Sequence, residues 1–415
     1  MRKTILNQFL SRSVRHGRLG VVFADGRTST FGICAAGYPE IVIRFADRRV
    51  PRDILRDPRL GAAEAFMDGR LIIEEGDIMG LVTLLRINNR WDKGGNIGSP
   101  NTLRRLIGTV AFAAERINTS ITSKSNVAHH YDIGNDFYAL MLDEEYLQYS
   151  CAYWPSDNMT LSEAQEAKMA HIAAKLKLEP DVTVLDIGCG WGGMAIYLAE
   201  HYGAKVTGIT LSEEQATLAR KKVDDAGVND LVSIELVDYR DFAKAGRRFD
   251  RIVSVGMFEH VGQPQFETFF EAAASLLRDD GTMLLHTIGR MGAPGKTDAF
   301  TRKYIFPGGY IPALSETVQA SEKFRLIATD VEMLRIHYGK TIRCWYANCI
   351  RHRDAIVAMY DQRFFNMWTF YLAGAATVFE YGGMCNYQIQ YTRTRNALPI
   401  TRDYIAHEEA RLLDK

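Results

Sequence analysis

From about residue 175 onward the sequence alternates strand, loop and helix, and this alternation restricts the fold more than any other feature. VTVLDIG, KVTGIT, VSIELVD, FDRIVSVGMF and TMLLHTIG read as strands, with MAIYLAEHYG, EEQATLARKKVDDAG and FETFFEAAASLLRDDG as helices between them. A helix between two strands forms a crossover, and crossovers join parallel strands. The pattern therefore predicts an α/β fold: a mostly parallel sheet with helices on both faces. In such a sheet, ligands bind outside the carboxyl ends of the strands. A dense glycine run falls at one of those ends.

That run, DIGCGWGG at 186–193, closes the first strand and opens the first helix. Glycines there let the backbone approach a ligand closely, and the helix start offers free N–H groups. Gly188, Gly190 and Gly193 fit G-x-G-x-x-G, so a nicotinamide or flavin dinucleotide has to be weighed. A dinucleotide site wants an acid at the end of the second strand for the ribose, where this sequence has Gly208-Ile-Thr210-Leu. Asp186, just before the loop, would repel a pyrophosphate and attract a cationic sulfonium. S-adenosylmethionine is the favoured ligand, with a dinucleotide as the alternative.

The 415 residues leave room for two to three domains. Residues 1–90 predict a small α+β domain, with strand-like GVVFADGR, STFGICA and EIVIRFAD before helical AAEAFMDGRL and DIMGLVTLLRINN. A Gly/Asn/Ser/Pro linker and a basic amphipathic helix, TLRRLIGTVAFAAERIN, occupy 91–125, and 126–415 form the larger domain. The fifty basic and fifty acidic residues cancel, which excludes a nucleic-acid-binding polycation. Residues 1–125 nevertheless hold 20 basic and 12 acidic side chains, a charge of +8 that suits an anionic surface such as a phospholipid membrane. A solvated charged face would give the same count.

Six cysteines, at 34, 151, 189, 344, 349 and 385, make no CxxC pair or zinc spacing, so no metal is expected. They are too sparse for a disulfide framework and read as reduced thiols in a cytosolic setting. The first residues lack the apolar run of a signal peptide. The longest uncharged apolar stretch, 364–379, is shorter than the roughly 20 residues a spanning helix needs. It reads as a core helix or the lining of an acyl channel.

Seven strings, in order, carry a more specific resemblance: HHYDIGNDFYALMLD (129–143), QYSCAYW (148–154), VLDIGCGWGG (184–193), DYRD (238–241), DRIVSVGMFEHVG (250–262), LLHTIG (284–289) and KYIFPGG (303–309). The sequence resembles the cyclopropane-fatty-acyl-phospholipid synthase family, whose relatives include the mycolic-acid cyclopropane synthases. Residues 18–90 are similar to that family's small N-terminal domain. The resemblance implies a Rossmann-like class I S-adenosylmethionine methyltransferase sheet. It also implies transfer of the activated methyl to a cis double bond in a phospholipid acyl chain. An alkene is a weak nucleophile, so the step needs alignment and exclusion of water. The carbocation that results is stabilised by aromatic faces, and loss of a methyl proton to a base closes the ring.

In the family that base is a bound bicarbonate. Carried over, its shell is Cys151, Glu259, His286, the backbone N–H of Ile288, and Tyr338 in IHYGKT, where the match is loosest. The cofactor contacts are Tyr149, Ser150, Asp186, Gly188, Gly190, Gly192, Thr210, Leu211 and Gln215, with Tyr239 and Arg240 flanking the adenine. Taken singly, Cys151 reads as an inert buried thiol, His286 as a structural histidine and Glu259 as a helix-start residue. A late-helix cysteine frequent in the family is replaced by Ala375, so no chemistry here depends on it; Cys344, Cys349 and Cys385 receive no function. The resemblance further implies a homodimer, cytoplasmic and peripherally attached to the membrane. Three rivals stand: a same-family methyltransferase that leaves a branch or methylene on the acyl substrate, a methyltransferase of a soluble acceptor, and a non-enzymatic lipid-binding protein.

Overall fold

The computed structural model describes residues 2–95 and 133–413, and they fall into two units. The expected amphipathic helix at 102–118 and the start of the first family string at 129–132 lie outside the described residues.

The smaller unit contains a four-stranded sheet, β1 (Arg18–Val22), β2 (Thr28–Phe31), β3 (Glu40–Phe45) and β4 (Leu71–Glu75), in the order β2-β1-β3-β4. Alternation of Leu19 and Val21, and of Ile41, Ile43 and Phe45, puts every second side chain into the core. Two expected helices follow, each opened by an aspartate that accepts an N–H of the first turn. Asp57 accepts from Leu60 N for Pro58–Met67, and Asp77 from Gly80 N for Ile78–Ile87.

The domain boundaries expected from the sequence need correction here. Asp298–Pro307 and Gly339–Gly383, assigned above to the larger domain, belong to this unit. The reason is an apolar stripe on the helix Gln362–Glu380, where Phe365, Trp368, Leu372 and Phe379 are buried. That helix packs on Ile78–Ile87 and Pro58–Met67 and completes their core. Polar contacts fix the join: Tyr346 donates its hydroxyl to Asp77 Oδ2 at 3.0 Å, and Arg363 Nε donates to Asp68 Oδ1 at 3.0 Å. The uncharged stretch 364–379 is therefore a packed helix of the smaller unit, and Ala375 lies on it. Among the described residues no helix is long and apolar enough to cross a membrane.

The larger unit holds seven strands, β5 (Thr183–Ile187), β6 (Lys205–Thr210), β7 (Val232–Leu236), β8 (Phe249–Val255), β9 (Leu277–Arg290), β10 (Ile327–Leu334) and β11 (Met384–Thr392). Their order is β10-β11-β9-β8-β5-β6-β7; β5 to β9 run parallel, and β11 is antiparallel between β9 and β10. All five expected strands are present. Val184, Val206, Val253 and Leu284 meet Ile172 and Leu198 from the covering helices. The strand order reverses at β5, with β6 on one side and β8 on the other, which opens a crevice at their carboxyl ends.

Candidate active site

The glycine loop lies in that crevice. The N–H groups of Gly188 and Cys189 both donate to the Ile209 carbonyl, at 2.9 and 3.0 Å, and pin the loop against β6. Gly188 and Gly190 have φ of +85° and +55°, a region L side chains rarely adopt. A Cβ on Gly188 would sit 2.8 Å from Met257 Cβ, whereas one on Gly190 would meet nothing within 4 Å. The backbone at Gly190 faces open space, as a ligand cradle requires.

A cleft runs from this loop along the strand ends. Ten of the eleven expected cofactor contacts line it: Tyr149, Ser150, Asp186, Gly188, Gly190, Thr210, Leu211, Gln215, Tyr239 and Arg240. Gly192 is the exception. It caps the helix Gly193–Tyr202 and approaches Ala219, so its role is packing. At the far end of the cleft the Thr210 hydroxyl donates to Gln215 Oε1 at 3.0 Å, and Arg240 clasps Asp238 through Nε at 2.8 Å and Nη2 at 2.6 Å. Burial drives the Tyr239 hydroxyl up to about 12.

Among the described residues, Asp186 is the acid of the cleft that has no cationic partner at ion-pair distance, Asp238 being held by Arg240. It is 2 % exposed, its Oδ2 has no partner, and burial pushes its carboxyl up to about 7. An orphaned carboxylate oxygen aimed into a cleft is what a cationic ligand would satisfy. The residues present therefore fit S-adenosylmethionine. No acid stands at the end of β6, as a dinucleotide would need.

The segment 148–154 is clamped by the helix Leu161–Leu176. Gln165 Nε2 donates to the Gln148 and Ser150 carbonyls at 3.3 and 3.0 Å, and Tyr153 N–H donates to the Ala164 carbonyl at 3.1 Å. Lys168 bonds Gln148 Oε1 and reaches Ser150 Oγ at 3.0 Å. Cys151, the next residue, is fully buried, and burial pushes its thiol far above the usual range.

Glu259 sits in the turn Phe258–His260 just after β8. Pairing between β8 and β9 ends at Val255 with His286, so the N–H groups further along β9 lose their strand partner on that side. Glu259 Oε1 accepts the freed Ile288 N–H at 2.5 Å, while Oε2 is buried with no partner. Burial raises the carboxyl to about 7 against the lowering effects of that bond, of its own backbone N–H and of the nearby Thr287 hydroxyl. The Ile288 N–H, expected to face an anion, is thus engaged by Glu259.

His286 lies two residues before Ile288, on the same face of β9. It is 1 % exposed, and burial holds it well below its ordinary value, so it is neutral. Asn386 Nδ2 and Gln388 Nε2 approach its two ring nitrogens at 3.2 and 3.1 Å, while Asn386 Oδ1 and Gln388 Oε1 lack partners. A neutral imidazole has one donor and one acceptor, so rotating one of these amides satisfies both ring nitrogens. Tyr338 is 7 % exposed, and its neighbour His337 accepts from Trp154 N–H at 2.9 Å. Glu259 and Ile288 therefore meet directly, His286 shares their strand face, and Tyr338 is tied to the Cys151 segment through its neighbour.

Reasoning from sequence missed Gln148, Trp191, Met257 and His260 in the cleft, and Lys168 behind it. Gln148 and Trp191 stand inside the quoted strings, but nothing in their residue types marked them. For Lys168 the available signal was polar spacing: Gln165, Lys168, His171 and Lys175 recur at helical intervals in an otherwise alanine-rich helix.

The family model for mycolic acid cyclopropane synthetase matches residues 118–389. The protein belongs to this family. It is 35% identical over 385 residues to the cyclopropane-fatty-acyl-phospholipid synthase of Escherichia coli K12, covering 91% of this sequence and 95% of that one. It is 38% identical over 291 residues to a probable fatty acid methyltransferase of Pseudomonas putida, covering 68% and 73%. Among solved structures, the mycolic acid cyclopropane synthase CmaA1 complexed with SAH and CTAB aligns with TM-score 0.61 and 34% identity, over 65% of this protein and 97% of that one. Like other members of the mycolic acid cyclopropane synthetase family, the protein is an S-adenosylmethionine-dependent methyltransferase with the class I sheet. This excludes the non-enzymatic lipid-binding alternative.

Proposed function

We propose that the protein converts a cis double bond in a phospholipid acyl chain into a cyclopropane, with bicarbonate bound by Cys151, Glu259, His286 and Tyr338 as the base and the Ile288 N–H holding Glu259 in place. S-adenosylmethionine, when bound, supplies an electrophilic methyl group. The observation that carries the reading is Glu259, with one oxygen on the Ile288 N–H, the other buried and unpartnered, and a carboxyl raised to about 7. A carboxyl that keeps its proton donates a hydrogen bond, and an anion is the partner that accepts it. The Cys151 thiol and the His286 imidazole are neutral. Such a shell supports a bound base better than a side-chain base. Glu259 is itself buried, and its sequence neighbour Phe258 packs against Phe266, Phe269 and Phe270, a setting that suits a route from which water is excluded.

Contact with a phospholipid surface is part of this reading. On the helix Val50–Arg56, Val50, Pro51 and Ile54 face the core, while Arg49, Arg52 and Arg56 point to solvent with Arg48 and Arg59 nearby in sequence. Arg70 takes the local acids, reaching Asp53 at 2.9 Å, Asp68 at 3.7 Å and Asp47 at 3.8 Å. Arg48, Arg49, Arg52 and Arg59 have no ion pair among the described residues, which suits anionic headgroups. We place the protein as a cytoplasmic, peripheral membrane homodimer; light scattering and vesicle sedimentation test both parts.

The likeness to the Pseudomonas putida fatty acid methyltransferase favours a second reading, methylation of the acyl chain without ring closure. Assays with and without bicarbonate in degassed buffer test the first reading: cyclopropane formation should stop without bicarbonate and return on its addition. Turnover that ignores bicarbonate would overturn it.

A further inference from the structure

Lys168 is 0 % exposed in the middle of the helix Leu161–Leu176, and Asp186 of the cleft and Cys151 and His286 of the shell lie within its electrostatic reach. Its hydrogen-bond partners are the Gln148 amide oxygen and the Ser150 hydroxyl, both neutral, and among the described residues no carboxylate lies within ion-pair distance. Burying an ammonium without a paired anion costs several kcal/mol, which an isosteric methionine would avoid. Something other than stability must explain its presence.

The surrounding charges indicate what that is. Cys151 feels Lys168 as its one resolved charge partner, and so does Asp186; His286 also lies within range of Lys168. Asp143 is the acid that acts most strongly on the ammonium, from beyond ion-pair distance; its two oxygens accept Tyr146 N–H at 2.7 Å and Gln148 N–H at 2.8 Å. The shell side chains Cys151, Glu259 and His286 are neutral or hold their protons, so none supplies a positive charge to offset an anion. Lys175 and His171, further along the same helix, are matched by Glu332 and Glu409, His171 through contacts of 2.6 Å to each. Asp186 is the acid left to the cleft, and a cationic cofactor would occupy it.

We infer that Lys168 is a positioning residue whose ammonium, seated on Ser150 beside Cys151, is the countercharge that draws the anionic base into the shell. The inference rests on the bicarbonate reading above. Once a cation sits against Asp186, Asp143 is the carboxylate left to the Lys168 ammonium, beyond ion-pair distance, and an anion beyond Cys151 would complete the balance. Cofactor and base would then bind with positive coupling, each removing the other's electrostatic cost.

The test is Lys168→Met, which keeps length and burial but removes the charge, beside Lys168→Gln, which keeps hydrogen bonding. Activity on cis-unsaturated phospholipid vesicles is measured against added bicarbonate, and S-adenosylmethionine affinity by calorimetry. Both variants should raise the half-saturating bicarbonate concentration at least about tenfold, equivalent to about 1.4 kcal/mol. Cofactor affinity measured without bicarbonate should change less than about threefold, and the tightening that bicarbonate gives in the wild type should disappear. A variant that folds, binds cofactor and keeps the wild-type bicarbonate dependence overturns the inference. Loss of activity that no bicarbonate concentration restores, with normal cofactor binding, also overturns it, by assigning Lys168 a different role. A wild type indifferent to bicarbonate would instead refute the underlying reading, so the two failures are separable.

Discussion

Replacing Glu259 by Gln isolates the protonation state on which the site depends. The amide oxygen of Gln can still accept the Ile288 N–H, now 2.5 Å from Glu259 Oε1, and the variant does not titrate. In the folded wild type, burial first and foremost raises this carboxyl from an ordinary 4.5 to about 7. Between those values the folded protein retains a proton that the unfolded state has released, so stability falls as pH rises. The contribution is complete below the unfolded value and lost above the folded one. At about 1.4 kcal/mol per pH unit the whole window amounts to on the order of 3 kcal/mol. Urea unfolding of the larger unit, followed by fluorescence in bicarbonate-free buffer, should show Glu259→Gln gaining roughly 2 kcal/mol on the wild type between pH 5.5 and pH 8. Taking the difference between the two proteins cancels Asp186, which titrates in the same range. The variant should bind cofactor normally and form no cyclopropane. A difference that does not move with pH would mean that Glu259 is ionised throughout, and the case for an anion beside it would collapse.

Asp186→Asn should weaken S-adenosylmethionine binding at least about tenfold by calorimetry, because a neutral amide replaces the orphaned oxygen; unchanged affinity would remove Asp186 from the cofactor site. Gly193→Ala should impair cofactor binding while Gly203→Ala does not, since a Cβ at Gly193 lies 2.5 Å from the Tyr146 carbonyl and one at Gly203 meets nothing within 4 Å. Reversing Arg49, Arg52 and Arg59 to Glu should abolish salt-sensitive sedimentation with anionic vesicles and leave cofactor affinity intact; retained sedimentation would move the membrane contact elsewhere. His171→Gln should speed hydrogen exchange in the helix Asp403–Leu413 by ten- to a hundredfold, because the buried His171 bridges Glu409 and Glu332 at 2.6 Å each. Raising pH through the elevated pKa of His171 should loosen the same helix in the wild type.

The parallel half of the fold was legible because β5, β6 and β8 are short apolar runs separated by helices, a pattern with few alternatives. β11 was not, because MCNYQIQYT alternates apolar with Asn386, Gln388 and Gln390, which reads as a surface strand. In the fold both faces are buried, and two of those amides are spent on His286. The helix Gln362–Glu380 is apolar enough to read as a core helix, but its stripe carries no mark of which unit it packs into, so the expected domain boundary is misplaced. In the site, the glycine loop and Asp186 followed from spacing and charge alone. Cys151, Glu259 and His286 came only through family resemblance, since a buried thiol, a turn glutamate and a strand histidine are ordinary in isolation. Lys168 escaped both routes, because its significance lies in neighbours distant in sequence.

The central claim is ring closure on a phospholipid acyl chain, and the fate of the methyl hydrogens tests it most directly. Purified protein is incubated with methyl-deuterated S-adenosylmethionine, bicarbonate and vesicles of cis-unsaturated phospholipid, and the acyl products are analysed by chromatography and mass spectrometry. The account predicts a cyclopropane that retains two of the three deuterons. A methyl-branched product that retains all three, or a methylene product resolved from the ring by chromatography, would contradict it.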